Sequence, residues 1–241
     1  MGLVIAKRLT SQHNFIVAIN YASNSTRAQE ALAALPKGCV AIQADVSKRD
    51  ECLNLVKEAH DKLGGLDLIV ANAGWSRPTP FNDIGNMILM LQANLDAFTE
   101  QDWDTAYAFN VKQSLWLAQA SKPIFNANEK GGHLIITSSV AGTRASGSSM
   151  AYSVTKAAAI HTSKCLAKAL APKIRVNTIS PSMIKTEWSA RFGEDKIKAH
   201  IAGNALKKMT DIEDVGMTVA WMVECESLTA QNICVDAGIG L

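Results

Sequence analysis

Tyr152 and Lys156 stand four positions apart in the stretch AYSVTKAAAIHTSKCLAKAL, and Ser139 precedes the tyrosine by thirteen positions. Side chains at i and i+4 lie one above the other on a helix face, so an ammonium sits directly under a phenol. An unperturbed tyrosine titrates near 10, and an opposite charge within reach favours its ionised form. Bringing that value to ~7 takes about 4 kcal/mol of differential stabilisation, which requires a partly desolvated ammonium and help from other groups. The pair is then a general acid and base usable near neutral pH. By itself such a pair is equally a solvated helix face; the position of Ser139 lifts it above that reading. The Ser138-Ser139 pair closes the apolar stretch His133 to Ser139, and ligands of open α/β sheets sit beyond the carboxyl ends of strands.

The elements that must hold these residues alternate along the chain. Residues 2–12 suit an amphipathic helix with Leu3, Ile5, Ala6 and Leu9 on its apolar stripe. Buried strands are expected at Phe15 to Asn20, in CVAIQADV, in LDLIVA, at His133 to Ser139, in KIRVNTI and in NICVDAG. Between them lie the helical stretches RAQEALAALP, Asp50 to Leu63, a long helix from Thr99 as N-cap, the helix carrying Tyr152, and DIEDVGMTVAWMVE. Strands alternating with helices of this length mean a parallel sheet covered on both faces, a doubly wound α/β fold in a single domain over 1–241. Residues 182–208 read as a mobile segment placed to cover a substrate.

Bulk properties narrow the function classes. At 241 residues and 48% apolar content the chain can bury a full core. The net charge of +2 is spread without a basic run, which favours neither nucleic acid nor an anionic membrane. Cys39, Cys52, Cys165, Cys225 and Cys234 are odd in number and widely spaced, the pattern of a reduced cytoplasmic protein without a structural metal. The apolar stretch Ile84 to Leu95 is too short and interrupted to span a bilayer. The first residues carry no charged leader and are not expected to be a secretory signal.

Asn72-Ala73-Gly74 after LDLIVA, Phe109-Asn110-Val111 in a predicted helix, and RVNTISPSMIKT from Arg175 to Thr186 stand in fixed order with Ser139, Tyr152 and Lys156. The ordered set resembles the short-chain dehydrogenase/reductase family, over almost the whole chain. The resemblance implies a nicotinamide-dependent oxidoreductase that interconverts a carbonyl and a secondary alcohol. Tyr152 would donate or accept the proton, Ser139 would hold the carbonyl oxygen, and Lys156 would lower the tyrosine pKa and bind the nicotinamide ribose. Asn110 would keep a water linking the lysine to solvent; its other reading is a helix amide bonding its own backbone. Asp45 matches an adenine-contacting aspartate, or caps the helix beginning near Ser47. Asn72 lies where the adenosine ribose approaches, and Ile184 and Thr186 match contacts to the nicotinamide amide. Pro181-Ser182 departs from the family's Pro-Gly, and serine restricts the backbone there.

No carboxylate stands at Asn20 to Asn24, and Arg27 follows one helical turn later. This favours NADP(H) over NAD(H), because an acidic residue there would repel a 2′-phosphate. Residues 76–98 depart from the family pattern. The stretch 84–94 within them is an apolar lid or a segment foreign to the protein. Residues 185–208, with Trp188 and Phe192, suit an apolar ketone or alcohol. The helices at 99–126 and 150–171 are apolar on more than one face, which implies a homodimer or homotetramer.

The family's first strand and most of its glycine-rich pyrophosphate turn have no counterpart before Gly2. The strands at 15–19 and 67–70 are therefore expected to flank an empty slot. Three readings follow: a longer protein, a chain unable to hold the dinucleotide, or a sheet that closes up or borrows a strand. The alternative function is a subunit that keeps the fold without catalysis.

Overall fold

The computed structural model describes residues 1–77, 98–186 and 189–240. The stretch 84–94 and Trp188 lie outside these residues. The order is α1 (Gly2–His13), β1 (Ala18–Tyr21), α2 (Ser25–Ala33), β2 (Val40–Gln43), α3 (Arg49–Leu63), β3 (Leu68–Ala71), α4 (Glu100–Tyr107), α5 (Gln113–Ala127), β4 (Gly132–Thr137), α6 (Met150–Leu170), β5 (Ile174–Pro181), α7 (Glu194–Gly203), α8 (Ile212–Glu224) and β6 (Asn232–Val235). A π-helical turn, Ala108–Lys112, joins α4 to α5. Thr99 caps α4 as expected, in a reciprocal capping box with Asp102.

The strands are parallel but form two sheets, β1-β2 and β3-β4-β5-β6. The centre of the larger sheet shows why its strands read as continuous apolar runs. Leu134, Ile136 and Val176 point to one face, among Val56, Leu117, Phe125 and Ala159 of α3, α5 and α6. Ile135 and Ile179 point to the other, among Ile5 and Leu9 of α1 and Val215, Val219 and Met222 of α8. Side chains alternate along a strand, so burial on both faces removes the polar positions. At the entry to β4, the Cα of Gly132 lies against the Phe125 ring: a Cβ there would be 2.1 Å from the ring.

β1 and β3 do not pair, and no strand lies between them among the described residues. The empty slot expected from the sequence is a cavity of about 960 Å³, lined by β1, β3 and residues of α1, α3 and α5. The sheet has therefore not closed up. At ~24 cal/mol per Å³ a dry cavity of this size would cost about 20 kcal/mol. That exceeds the ~5–15 kcal/mol stability of a typical domain, so solvent or a ligand fills the space.

Residues 182–208 are more regular than expected. A 3₁₀ turn, Ser189–Phe192, is followed by α7, which begins after Gly193 at φ 77° and carries Glu194 and Asp195 in its first turn. Acidic residues there complement the helix dipole. None of the α7 residues is buried, so the core periodicity that marks the other helices is absent from it.

Candidate active site

β4 delivers Ser138 and Ser139 to the carboxyl edge of the larger sheet, and α6 brings Tyr152 and Lys156 back to the same place. Ser149 caps α6 by accepting from the Tyr152 N–H, which sets the tyrosine in the first turn. The two serines have separate duties. Buried Ser138 donates to the Lys156 C=O at 2.8 Å, tying α6 to the strand end. Ser139 instead shares a hydrogen bond with the Tyr152 hydroxyl. Its Oγ also accepts from the Ala141 N–H at 3.2 Å and lies 3.4 Å from the Pro181 carbonyl.

Lys156 is 3% exposed. Its Nζ donates to the Thr137 C=O at 2.7 Å and stands 5.5 Å from the centroid of the Tyr152 ring. Burial pushes the lysine pKa down to about 8. Burial pushes the Tyr152 hydroxyl up, and the Ser139 hydrogen bond only partly opposes it. This corrects the direction expected for the tyrosine. The ammonium donates to the Thr137 carbonyl, and desolvation of the buried phenol outweighs what its neighbours return. In this state Tyr152 holds its proton.

Asn110 sits in the π-helical turn and is 2% exposed. Such turns widen a helix locally and are frequent at functional sites. Its Oδ1 accepts from the Trp75 N–H, and its Nδ2 donates to the Trp75 C=O and to Thr155 Oγ1, all at 2.9 Å. The side chain thus clamps the backbone just past β3 rather than bonding its own helix. Gly74 lies inside this clamp: a Cβ would stand 3.2 Å from Asn110 Oδ1 and 3.4 Å from Lys156 Nζ. Thr155 and the Trp75 backbone carried no signal in the sequence that linked them to Asn110, because only the fold brings them together.

The other expected residues are more dispersed. Asp45 accepts from the Ser47 N–H at 3.0 Å and from its hydroxyl at 2.7 Å, and this bond leads the causes that lower its pKa. It forms a turn of its own and does not cap α3, whose N-cap is Lys48. Asn72 follows β3 with its amide against Gly2, where a Cβ would be 3.1 Å from Nδ2. Its buried Oδ1 has no hydrogen-bond partner. Ile184 forms an isolated bridge with Thr210, and Thr186 exchanges hydrogen bonds with Ser189 at the start of the 3₁₀ turn. Ser182 meets His200 of α7, Oγ to Nε2 at 3.0 Å.

At the end of β1, Asn20 Nδ2 donates to the Ala44 and Ile42 carbonyls, and Asn24 caps α2. Burial, and then the neighbouring Arg27 guanidinium, push the Met1 ammonium pKa down. The Arg27 guanidinium therefore stands near the end where α1 presents its N-terminus, with no acidic residue in its first turn. Together with the unpartnered Asn72 oxygen and the close backbone at Gly74, this end of the fold fits an anionic dinucleotide. The described residues hold no cluster of His, Cys, Asp and Glu fit for a metal.

The family model described as enoyl-(acyl carrier protein) reductase matches residues 1–240. A protein assigned as ketoacyl reductase 2 of the granaticin polyketide synthase of Streptomyces violaceoruber is 30% identical over 243 residues, covering 100% of this chain and 92% of that one. The 3-oxoacyl-[acyl-carrier-protein] reductase of Staphylococcus epidermidis is 27% identical over 245 residues, 99% of this chain and 94% of the relative. Among solved structures, a short chain dehydrogenase from Burkholderia cenocepacia in complex with NADP superposes with TM-score 0.86 at 29% identity, covering 100% of this chain and 93% of the other.

Proposed function

Because the chain belongs to the short-chain dehydrogenase/reductase family of NAD(P)-dependent oxidoreductases, we propose that it reduces the ketone of an apolar 3-oxoacyl-type compound with NADPH, using Tyr152 as the proton donor. The observation that carries this reading is the convergence of two hydroxyls, Ser139 and Tyr152, beside buried Lys156. Two donors meeting at one point suit the oxygen of a carbonyl, whose charge grows as it is reduced. The polyketide synthase ketoacyl reductase and the 3-oxoacyl-[acyl-carrier-protein] reductase among its relatives support the 3-oxoacyl class, and the NADP complex supports the cofactor.

A bound nicotinamide supplies the hydride to the carbonyl carbon. Tyr152 gives its proton to the oxygen as the C=O becomes C–OH, and Ser139 holds that oxygen in register. The raised tyrosine pKa keeps the donor protonated at neutral pH. Lys156 would bind the ribose hydroxyls with its ammonium, which stands 3.4 Å from where a Cβ at Gly74 would be. Asn110 fixes the Trp75 backbone that forms the wall opposite α6. Ser23 and Arg27, with no carboxylate nearby on β1, are the proposed 2′-phosphate site. Asp45 and Asn72 would face the adenosine, and Ile184 and Thr186 the nicotinamide amide.

Exposed Leu115 on α5 and Val154 on α6 are the proposed contact with a second copy, giving a dimer or tetramer. Among the described residues no helix is long and apolar enough to cross a membrane, and the proposed site of action is the cytoplasm. Steady-state oxidation of NADPH with a 3-oxoacyl thioester tests the reading: turnover should exceed that with NADH at least tenfold. Absence of turnover with every apolar ketone tried would refute it. The cavity between β1 and β3 favours a second reading, a non-catalytic subunit. Its mark would be a folded chain that binds neither cofactor.

A further inference from the structure

Helix α7 lies between two fixed points. Before it, Thr186 and buried Ser189 exchange hydrogen bonds. After it, Asn204 is fully buried, and the Leu206 N–H donates to the Ala237 C=O at 3.0 Å. The helix between them buries no side chain, and Lys198 pairs with Glu194 of the same helix. Among the described residues, one α7 side chain alone hydrogen-bonds beyond 189–208: His200, whose Nε2 stands 3.0 Å from Ser182 Oγ. Ser182 is itself held. It is buried, and its N–H donates to the Val235 C=O of β6 at 3.0 Å. The preceding carbonyl, of Pro181, lies 3.4 Å from Ser139 Oγ. The contact therefore stands one peptide away from the hydroxyl that meets Tyr152.

We propose that the Ser182–His200 hydrogen bond is a latch that holds α7 closed beside Ser139, which makes both side chains positioning residues for the substrate. That α7 covers a substrate rests on the oxidoreductase reading; the latch itself does not. Glycine, which the family pattern has in place of Ser182, offers no side chain for such a bond, so the latch comes with the serine. A helix that buries no side chain has little else to keep it in place, since segments with few apolar contacts and exposed backbone bonds open first. Burial, and then the charge of Arg144, lower the His200 pKa. Arg144 stands in the loop before α6 and donates to the Ile239 C=O and to Ser146 Oγ. On α7 itself Lys196 stands one turn before His200, and Lys207 beyond the helix donates to the Ala202 C=O. Past β6 the Asp236 carboxylate accepts from the Gly238 and Gly240 N–H groups. The closed latch thus prefers a neutral imidazole. An imidazole released to solvent titrates near 6.5, so closure has its full strength above that pH and weakens as pH falls below it.

Amide hydrogen exchange of residues 194–203, followed by mass spectrometry on the full chain without ligand, tests the latch. At pH 7.5 Ser182→Ala should speed exchange there about two- to tenfold, the worth of one hydrogen bond, and leave α6 unchanged. His200→Gln keeps a group that can meet the serine hydroxyl without titrating, so it should stay within about twofold of the unaltered chain. At pH 5 the ratio of Ser182→Ala to the unaltered chain should shrink toward one, and His200→Gln should then exchange more slowly than the unaltered chain. In steady-state turnover of a 3-oxoacyl thioester, Ser182→Ala should raise KM by a similar factor while kcat stays within about twofold. Unchanged exchange in Ser182→Ala would overturn the latch whether or not the chain turns over. Faster exchange with an unchanged KM would overturn the positioning role. Absence of turnover would count against the oxidoreductase reading alone, with the exchange result still deciding the latch.

Discussion

Removal of the Asn110 side chain should cost stability and activity together. Asn110→Ala deletes the acceptor of the Trp75 N–H and the donor to the Trp75 C=O. The Thr155 hydroxyl survives the change, because it still donates to the Ala151 C=O at 2.7 Å. Two half-buried backbone groups are left without partners. Each such group costs about 1–3 kcal/mol, and partial access of water near Trp75 holds the sum to about 2–3 kcal/mol. For a chain of 241 residues the unfolding entropy is about 0.5 kcal/mol per degree, so the midpoint should fall by about 4–6 °C. Urea unfolding checks this, with a lower midpoint and an unchanged slope expected. Asn110→Asp separates the two effects. It keeps the acceptor for the Trp75 N–H but brings a carboxylate near Lys156, across Gly74. The lysine pKa should rise from about 8, visible as an alkaline shift in the pH profile of turnover. A loss below about 0.5 kcal/mol in Asn110→Ala would show that the clamp does not hold the Trp75 backbone.

Three further outcomes follow from the geometry. Gly132→Ala drives a Cβ into the Phe125 ring and should cost more than about 3 kcal/mol, with Phe125→Leu in the same chain recovering part of the loss; chemical denaturation of the two variants decides it. His133 is buried, accepts at Nε2 from Asn177, and has its pKa lowered to about 3 by burial and by Arg175. The unfolded chain takes up this proton near 6.5 and the folded chain only near 3. Stability should therefore fall as pH drops between those values, by about 4–5 kcal/mol in total, and His133→Gln should flatten that part of the urea-midpoint curve. Lys156→Met removes a desolvated charge, so it should abolish turnover without lowering the unfolding free energy from urea titration at pH 7 by more than about 1 kcal/mol.

Much of this was legible in the sequence because it depends on local spacing. The i, i+4 relation of Tyr152 and Lys156 and the position of Ser139 after an apolar run survive any detail of packing. The slot beside β1 was also legible, but only through the resemblance to a family whose first strand lies between these two. What spacing does not carry is which bond a buried group chooses. Lys156 prefers the Thr137 carbonyl to the phenol, Asp45 builds a turn with Ser47, and Asn110 reaches thirty-five positions back to Trp75. Each is decided by desolvation and by the meeting of distant segments. Helix α7 escaped for a different reason: it buries no side chain, so its sequence shows no apolar period.

Single-turnover reduction of a 3-oxoacyl thioester by Tyr152→Phe, with NADPH binding measured calorimetrically on the same sample, tests the proposed role of Tyr152 most directly. NADPH affinity should stay within about threefold of the unaltered protein, while the reduction step slows by at least about a thousandfold. Reduction at an undiminished rate would mean that the proton comes from elsewhere, and the assignment of Tyr152 would fall.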